Sequence, residues 1–592
     1  MAKYILKLNR KILLLFALAS ILINCDYSKS KNSEKKIKKD LIADSDNGGL
    51  FMPDGFGAIV VSEGVGPSRH LAVKNNGDIY VKLRKASGRN GNVALRDNDG
   101  DGKADIVERF GDYPNDGKFG TEMKINDGYL YYSSELVIYR QLLDPYELIP
   151  KGKPEVVLVD PYPIRWHNAK SLAFDKEDNM YVTFSAPTNA CEDWDTKPNT
   201  YSTENVKGQY PCEQLELLGG IWKFNKNKLG QSLKDGIRYA TGIRSVVGLT
   251  WNNEVNSLYG VNHGRDFLHN HYPQYYSKWD NTVLPAEEFM KIENGDNYGW
   301  PYTYYDHFQN KRMLAPEYGG NGKIESKDYS NPIMGLPAHW APNDLLFYTG
   351  NQFPERYKNG AFIAFHGSTN RIPYPQSGYF VAFVPFKDGV AGEFEIFADG
   401  FAAVDPIVNT RDAKFRPMGI SFSPDGSMFI SDSRHGRVWK INYDLDKNDF
   451  DLTHLEKMEK RKTLSHIRDP DRIKDRIELE SNGLGQNLYN KHCVSCHQID
   501  GQGASGRFPT LVSNWVQGDK KQLIQIVLNG IEGDLEVNGE IYNGIMPHYN
   551  FLTDDQIADL LTYIRKSFGN NSSEITMDEV EEVRKQTTNS KP

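Results

Sequence analysis

From about residue 50 to 445 one pattern recurs six times: a short apolar run, a polar turn built from Asp, Asn or Gly, and an alternating run containing Tyr or Phe. The copies are 71–81, 123–131, 172–182, 249–259, 357–364 and 420–430, with 357–364 the loosest. Each reads as two strands around a turn, because period-two alternation suits a half-buried strand and Gly or Asn supplies the turn conformation. Turn spacing starts at 51 residues between Gly77 and Gly128 and lengthens downstream, which suits propeller blades with growing loop insertions better than a sandwich. A six-bladed β-propeller is expected, with an irregular multi-hairpin β protein as the alternative. The stretch 262–340, rich in Tyr, Trp and His, is expected as loops over one face, where function tends to reside.

Composition narrows the partners. A chain of 592 residues exceeds one ordinary domain, and a net charge of -8 argues against a nucleic-acid partner. The 52 Gly and 29 Pro are spread along the chain, as many short strands and turns require, and lean away from an all-helical fold.

Residues 1–25 place Lys3, Lys7, Arg10 and Lys11 ahead of the apolar run 12–23 and stop at Asn24-Cys25. The run is shorter than the roughly 20 residues that span a bilayer, so it reads as a signal peptide. Cys25 behind Leu22-Ile23-Asn24 resembles a bacterial lipoprotein cleavage site, with an uncleaved anchor as the alternative. The expected location is the bacterial cell envelope, as a periplasm-exposed body held to the membrane by a lipid on Cys25 and a tether at 26–49. Beyond Cys25 and a CxxCH pair, only Cys191 and Cys212 remain, and an oxidising compartment suits their pairing. Closing that loop would stabilise the fold by about 3 kcal/mol in the chain-entropy model.

The segment His492-Cys493-Val494-Ser495-Cys496-His497 fits covalent haem attachment: Cys493 and Cys496 reach both vinyl groups while His497 ligates iron as the proximal ligand. A zinc site would want a second thiol pair or further His at metal spacing. Downstream, Gly544-Ile545-Met546-Pro547 precedes a helix expected from a Thr553 cap to about Phe568, with Ile557, Leu560, Leu561 and Ile564 on one face. Met546 is expected as the distal ligand, with His548 as the rival, and the segment resembles the class I cytochromes c. Thioether ligation raises the potential relative to two imidazoles and favours electron acceptance. The domain reading is thus a charged linker at 446–482, a small all-α cytochrome c domain at 483–570 and a polar tail at 571–592, with either a short helix from a Thr576-x-x-Glu579 capping box or disorder expected in the tail.

Over the middle segment several motifs occur together: His167-Asn-Ala-Lys-Ser-Leu-Ala-Phe174, Gly242-Ile-Arg-Ser-Val-Val-Gly-Leu249, His263-Gly-Arg-Asp266, Gly295-Asp-Asn-Tyr-Gly-Trp-Pro301, His366-Gly-Ser-Thr-Asn-Arg371 and Arg416-Pro-Met-Gly419. In this order they resemble the glucose/sorbosone dehydrogenases, six-bladed propellers that use pyrroloquinoline quinone (PQQ), and lie closest to the sorbosone branch. The resemblance implies that His167 is the general base, that Arg244, Arg371 and Arg416 bind PQQ, and that a calcium ion bridges PQQ near His263 and Gly264. Ser245 and Asn370 stand where glucose-oxidising relatives carry Asn and a cofactor-binding Lys.

A separate calcium loop is expected at Asp97-x-Asp99-x-Asp101-Gly102-Lys103-x-Asp105-x-x-Glu108, whose positions one, three, five, nine and twelve match an EF-hand loop. The position-seven ligand would be the backbone carbonyl of Lys103. Flanking strands make it a structural ion, not a sensor. The whole reads as an exported PQQ dehydrogenase that oxidises an aldose, sugar aldehyde or related alcohol and passes electrons through its own haem c to another cytochrome or an oxidase. The alternatives are a non-catalytic ligand-binding propeller carrying an electron-transfer cytochrome, and a calcium-dependent carbohydrate-binding scaffold.

Overall fold

Runs such as Ala361–Phe365 and Phe380–Val384 are apolar at every position and buried throughout, as strands sandwiched between neighbouring sheets must be. The computed structural model describes residues 41–113, 120–162, 167, 169–192, 204–371, 375–407, 409–470 and 483–589. Cys25 and the expected signal peptide lie outside them. Six sheets of four or five strands arise from these residues, each with four antiparallel strands from inner to outer, the second adding Gln231–Ser232 in parallel at its outer edge. The inner strands are Ser68–Val73, Met123–Asn126, Leu172–Phe174, Val246–Asn252, Pro342–Phe347 and Pro417–Phe422. In the sixth blade the outer strand is Phe56–Ser62, paired antiparallel with Val438–Tyr443, so the start of the propeller closes its end. This removes the free edge that an open ring would expose.

Five of the six expected hairpins coincide with the first two strands of a blade. The fifth copy is displaced: 357–364 starts at the last residue of the 3-10 turn Glu355–Tyr357 and holds most of the strand Ala361–Phe365, whose partner is Pro342–Phe347 across a long connection. The stretch 262–340 is likewise more than loop. It contains Glu287–Ile292 and Met334–Leu336 of the fourth blade, the separate hairpin Thr303–Asp306 with Lys311–Leu314, and two short helices.

A buried polar network ties the six inner strands together. His70 donates from Nδ1 to Glu122 at 2.9 Å and from Nε2 to the Asn343 carbonyl at 2.7 Å. Both partners are acceptors, so the ring is an imidazolium; burial opposes that charge, but Asp344 and Glu122 outweigh it and raise the pKa. Glu122 also accepts the Leu172 N–H at 3.1 Å, and Lys124 Nζ donates to the carbonyls of Leu172 and Leu249 at 2.7 and 2.6 Å. Against burial, Lys124 and His70 bring the Glu122 carboxyl down to about 2. Asp344 completes the set by accepting the Ile420 N–H at 2.7 Å.

The charged segment after the propeller packs back onto it. Met458 and Ile467 join the apolar core beneath the fifth blade. His466 is 3% exposed and clamped between Asp399 at 2.9 Å and Asp405 at 3.1 Å.

The C-terminal domain is built on Gly483–His492, Lys520–Asn529, Asp554–Lys566 and Met577–Asn589. Thr553 caps the third of these in a capping box with Gln556, and its apolar face of Ile557, Leu560, Leu561 and Ile564 fills the core. The last helix arises from residues read as a polar tail: Ile575, Val580 and Val583 belong to the same core. The helical domain also carries an antiparallel hairpin, Ile531–Val537 with Glu540–Met546. Its turn is Asn538-Gly539, both with positive φ, the pairing a two-residue hairpin turn favours. Against the propeller, Ile499 packs on the cluster around Trp279, and the Arg507 guanidinium pairs with Asp412.

Candidate functional site

His167, Arg244, His339 and Arg416 each lie a few residues before an inner strand, and Arg69 lies at the start of one. His263 and His366 directly follow the second strands of their blades. Inner strands share one direction and second strands run opposite, so all these groups gather at one end of the propeller axis.

On one side of this end, Arg244 donates to the Asp266 carboxylate at 2.8 Å, to the Asn189 side chain at 3.0 Å and to the Gly264 carbonyl at 2.6 Å. A guanidinium therefore rests on the oxygen that the family resemblance gave to calcium. Asp266 also accepts from Asn370 at 2.6 Å, and Arg244 and His339 hold its pKa low against burial. Half-buried His167 faces this group. Burial and the Arg244 charge push its pKa well below the ordinary imidazole value, so it is neutral at pH 7. Arg371, read as a cofactor ligand, is buried and acts electrostatically on His339. Beneath Gly264, Glu287 accepts the N–H groups of Gly264 and Ala341 at 2.8 and 3.1 Å, and burial raises its pKa to about 8.

On the other side, Arg416 donates from Nη2 to His366 Nδ1 at 2.9 Å and from Nε to the His366 carbonyl at 3.0 Å. That fixes the His366 tautomer: Nδ1 accepts, so Nε2–H donates to Ser433 Oγ at 2.7 Å. Burial, Arg416 and Arg69 hold His366 neutral. Arg69 and Arg84, which sequence reasoning missed, join Arg416 here. Burial and these two neighbouring charges lower the Arg69 pKa to about 9. Among the described residues, buried Nε atoms of Arg69 and Arg244 have no hydrogen-bond partner. Crowded guanidiniums with unspent donors suit a polyanion, and PQQ, with its carboxylates and quinone oxygens, fits that donor set.

Cys191 and Cys212 form a disulfide, with Cα atoms 6.1 Å apart, beneath Trp300 beside this site. Between the domains a crevice of about 680 Å³, including its open mouth, is lined by His269, Lys278 and Asn370 on one wall and Asn490 and Lys491 on the other.

The second domain holds an apolar cleft of about 1240 Å³, part of it open to solvent, lined by Cys493, Cys496, His497, Pro509 and Met546. His497 donates from Nδ1 to the Pro509 carbonyl at 3.0 Å, which leaves Nε2 as the ligating nitrogen. Burial lowers its pKa, so the imidazole is neutral and able to ligate. Met546 packs on the domain core at the end of the hairpin, whereas His548 is exposed and bonded to Asn550 at 3.0 Å. Two thiols, a tethered imidazole and a thioether around an apolar slot fit haem c.

In the loop after the strand Asn90–Arg96, carboxylate oxygens of Asp97, Asp99 and Asp105 lie within 4.8 Å of one another. Asp97 accepts the N–H groups of Gly100 and Gly102 at 2.6 and 2.9 Å, and Asp101 that of Lys103 at 2.8 Å. Glu108 is not part of the cluster. It sits on the strand Ile106–Phe110 opposite Ala94, so the twelfth position of an EF-hand loop has become a sheet position.

The TrAA12-like family profile matches residues 50–444, and the Cytochrome c profile matches 483–567. A Borreliella burgdorferi protein described as uncharacterized is 30% identical over 310 residues, which are 52% of this chain and 66% of that protein. Cytochrome c-552 of Thermus thermophilus is 37% identical over 90 residues, 14% of this chain and 68% of its own length. The fructose dehydrogenase cytochrome subunit of Gluconobacter japonicus is 37% identical over 109 residues, 17% of this chain and 22% of the subunit. Among solved structures, the calcium structure of the Trichoderma reesei carbohydrate-active enzyme of family AA12 matches with a TM-score of 0.52 at 16% identity, covering 69% of this chain and 99% of that one. At that identity the likeness is one of fold.

Proposed function

Because the chain belongs to the TrAA12-like family and carries a cytochrome c domain behind it, we propose that it is a PQQ-dependent dehydrogenase that oxidises an aldose, sugar aldehyde or related alcohol and passes electrons through its own haem c. The observation that carries the reading is the guanidinium-lined end of the propeller with a neutral imidazole beside it, in one chain with a haem cleft. Arg69, Arg84 and Arg416 on one side and Arg244 and Arg371 on the other would hold the cofactor. PQQ, when bound, supplies a quinone that takes up two electrons with a hydride.

The chain's own groups do the rest. His167, kept neutral, accepts the hydroxyl proton of the substrate, and the Arg244 guanidinium beside it discourages a proton at rest. Asp266, held ionised by Arg244, fixes that guanidinium in place and draws Asn370 into the site. His366 Nδ1 orients Arg416 toward the same end. In the second domain His497 and Met546 would supply the axial ligands, and Cys493 and Cys496 the covalent links. Asp97, Asp99 and Asp105, with the Lys103 carbonyl, would bind a structural calcium. Export and a lipid on Cys25 would place the site outside the cytoplasmic membrane, near a further cytochrome or an oxidase.

The test is titration of PQQ with calcium into the haem-loaded protein by calorimetry, then a sugar panel read as haem reduction. Saturable one-to-one binding and haem reduction are expected. His167→Ala should keep PQQ and lose about 10²–10⁴-fold in turnover. A folded protein that binds no PQQ would end the dehydrogenase reading.

A further inference from the structure

The hairpin Ile531–Val537 with Glu540–Met546 has two unlike faces. Inward, Leu535, Val537, Tyr542 and Met546 line the haem cleft. Outward, the register puts Glu532 opposite Ile545, Asp534 opposite Asn543 and Glu536 opposite Ile541. All six are exposed with both domains in place; Ile541 is 66% and Ile545 72% accessible. The hairpin carries no Lys, Arg or His. Among the described residues no cation pairs with Glu532, Asp534 or Glu536; Asp534 accepts only from Asn543 at 2.5 Å.

Ile541 stands in solvent among these acids, while Ile545 is exposed at the rim of the haem cleft that it helps to line. A sheet face is about 10 Å from whatever packs against it, so a protein seated here lies one strand layer from the haem cleft. The propeller side of the domain is already taken by the Arg507–Asp412 pair and by Ile499. We infer that the outer face of this hairpin is the electron-exit surface of the chain and docks a small basic redox protein, one whose lysines ring an apolar centre. Charge selects that occupant: a second copy would bring the same acids face to face, and an anionic lipid surface would be repelled in the same way. One electron leaves the reduced haem and reduces one ferric centre of the partner, with no proton moved. The inference rests on the haem c reading alone and not on PQQ.

A basic mitochondrial-type cytochrome c serves as the probe. Titrated calorimetrically into the oxidised haem-loaded chain at low salt, it should bind one-to-one, with Kd rising about tenfold or more from 20 to 200 mM salt. In stopped flow, the chemically pre-reduced chain should pass its electron to the probe with the same salt dependence. The triple variants E532K/D534K/E536K and E532Q/D534N/E536Q should each weaken binding and slow transfer by about tenfold at low salt, with the haem spectrum unchanged. I541S should weaken binding while leaving the salt slope intact. The inference is overturned if the charge variants, with haem intact, bind and react within twofold of the parent, or if an acidic cytochrome c binds as well as the basic one.

Discussion

Replacing His466 tests how the segment leading to the cytochrome is held. Nδ1 and Nε2 of this buried ring both point at carboxylates, Asp405 and Asp399, so the folded protein holds an imidazolium; although burial opposes the charge, the two carboxylates raise the pKa to about 9. Against an unfolded value of about 6.5 the difference is roughly two and a half pK units, or about 3 kcal/mol. Because the folded pKa is the higher one, that stability is fully present below about pH 6, still between about 2 and 3 kcal/mol at pH 7, and lost as pH rises through 9. Arg461 also pairs with Asp399, so His466→Gln removes one charge without leaving that carboxylate alone. The His466 carbonyl accepts from Ser377 Oγ at 2.6 Å and Gly378 N–H at 2.9 Å, so the backbone at Ser377 and Gly378 should loosen as well. Denaturant unfolding of parent and His466→Gln at pH 6, 7.5 and 10 should show a gap of about 3 kcal/mol that shrinks to under about 1 kcal/mol at pH 10. A gap of constant size across that range would refute the ion-clamp reasoning.

Glu122→Gln should cost about 3–5 kcal/mol in unfolding experiments, because it removes the carboxylate that pairs directly with the His70 imidazolium and Lys124 and leaves Asp344 alone to balance them; a loss under about 1 kcal/mol would show the axial network to be dispensable. Calcium at a hundred times its Kd should stabilise the parent by about 2.7 kcal/mol, and Asp97→Asn should abolish that gain in a thermal melt. An equal response from the variant would remove the loop as the ion's site. Met546→His should lower the haem midpoint potential in a redox titration while covalent haem is retained, and Met546→Ala should change the ligand-field spectrum. An unchanged potential in both would take Met546 out of the coordination sphere.

How much was legible depended on whether a feature is local. The CxxCH motif, the capped helix behind Thr553 and five of the six hairpins are encoded within a dozen residues each, where periodicity and turn chemistry suffice. The hairpin ending at Met546 was local as well: Asn538-Gly539 between alternating runs was its signal, overshadowed by the expectation of an all-helical domain. The fifth copy misled because Tyr357 and Asn359 mimic a hairpin turn, while the true partner strand lies before a longer connection. The last helix was legible at its start, where Thr576 and Glu579 form the expected capping box, but its polar sequence suited disorder equally, since only Ile575, Val580 and Val583 reach the core.

The sequence by itself determined five of the blade hairpins and the haem motif, because each follows from residue type and spacing along one stretch of chain, while the bond between Cys191 and Cys212 was an expectation that the fold bears out. Only the tertiary structure decided which charges meet. Arg69 and Arg84 belong to the first blade and Arg416 to the sixth, and no spacing rule links them until Phe56–Ser62 closes the ring on Val438–Tyr443. Closure also turns His70, an ordinary strand residue in sequence, into an imidazolium shared between Glu122 and Asn343. The same folding placed Glu108 on a strand instead of in the calcium loop and aimed His466 between two aspartates sixty-odd residues away. Electrostatic energy depends on distance through space and on lost water, and both are set only when the chain has closed on itself.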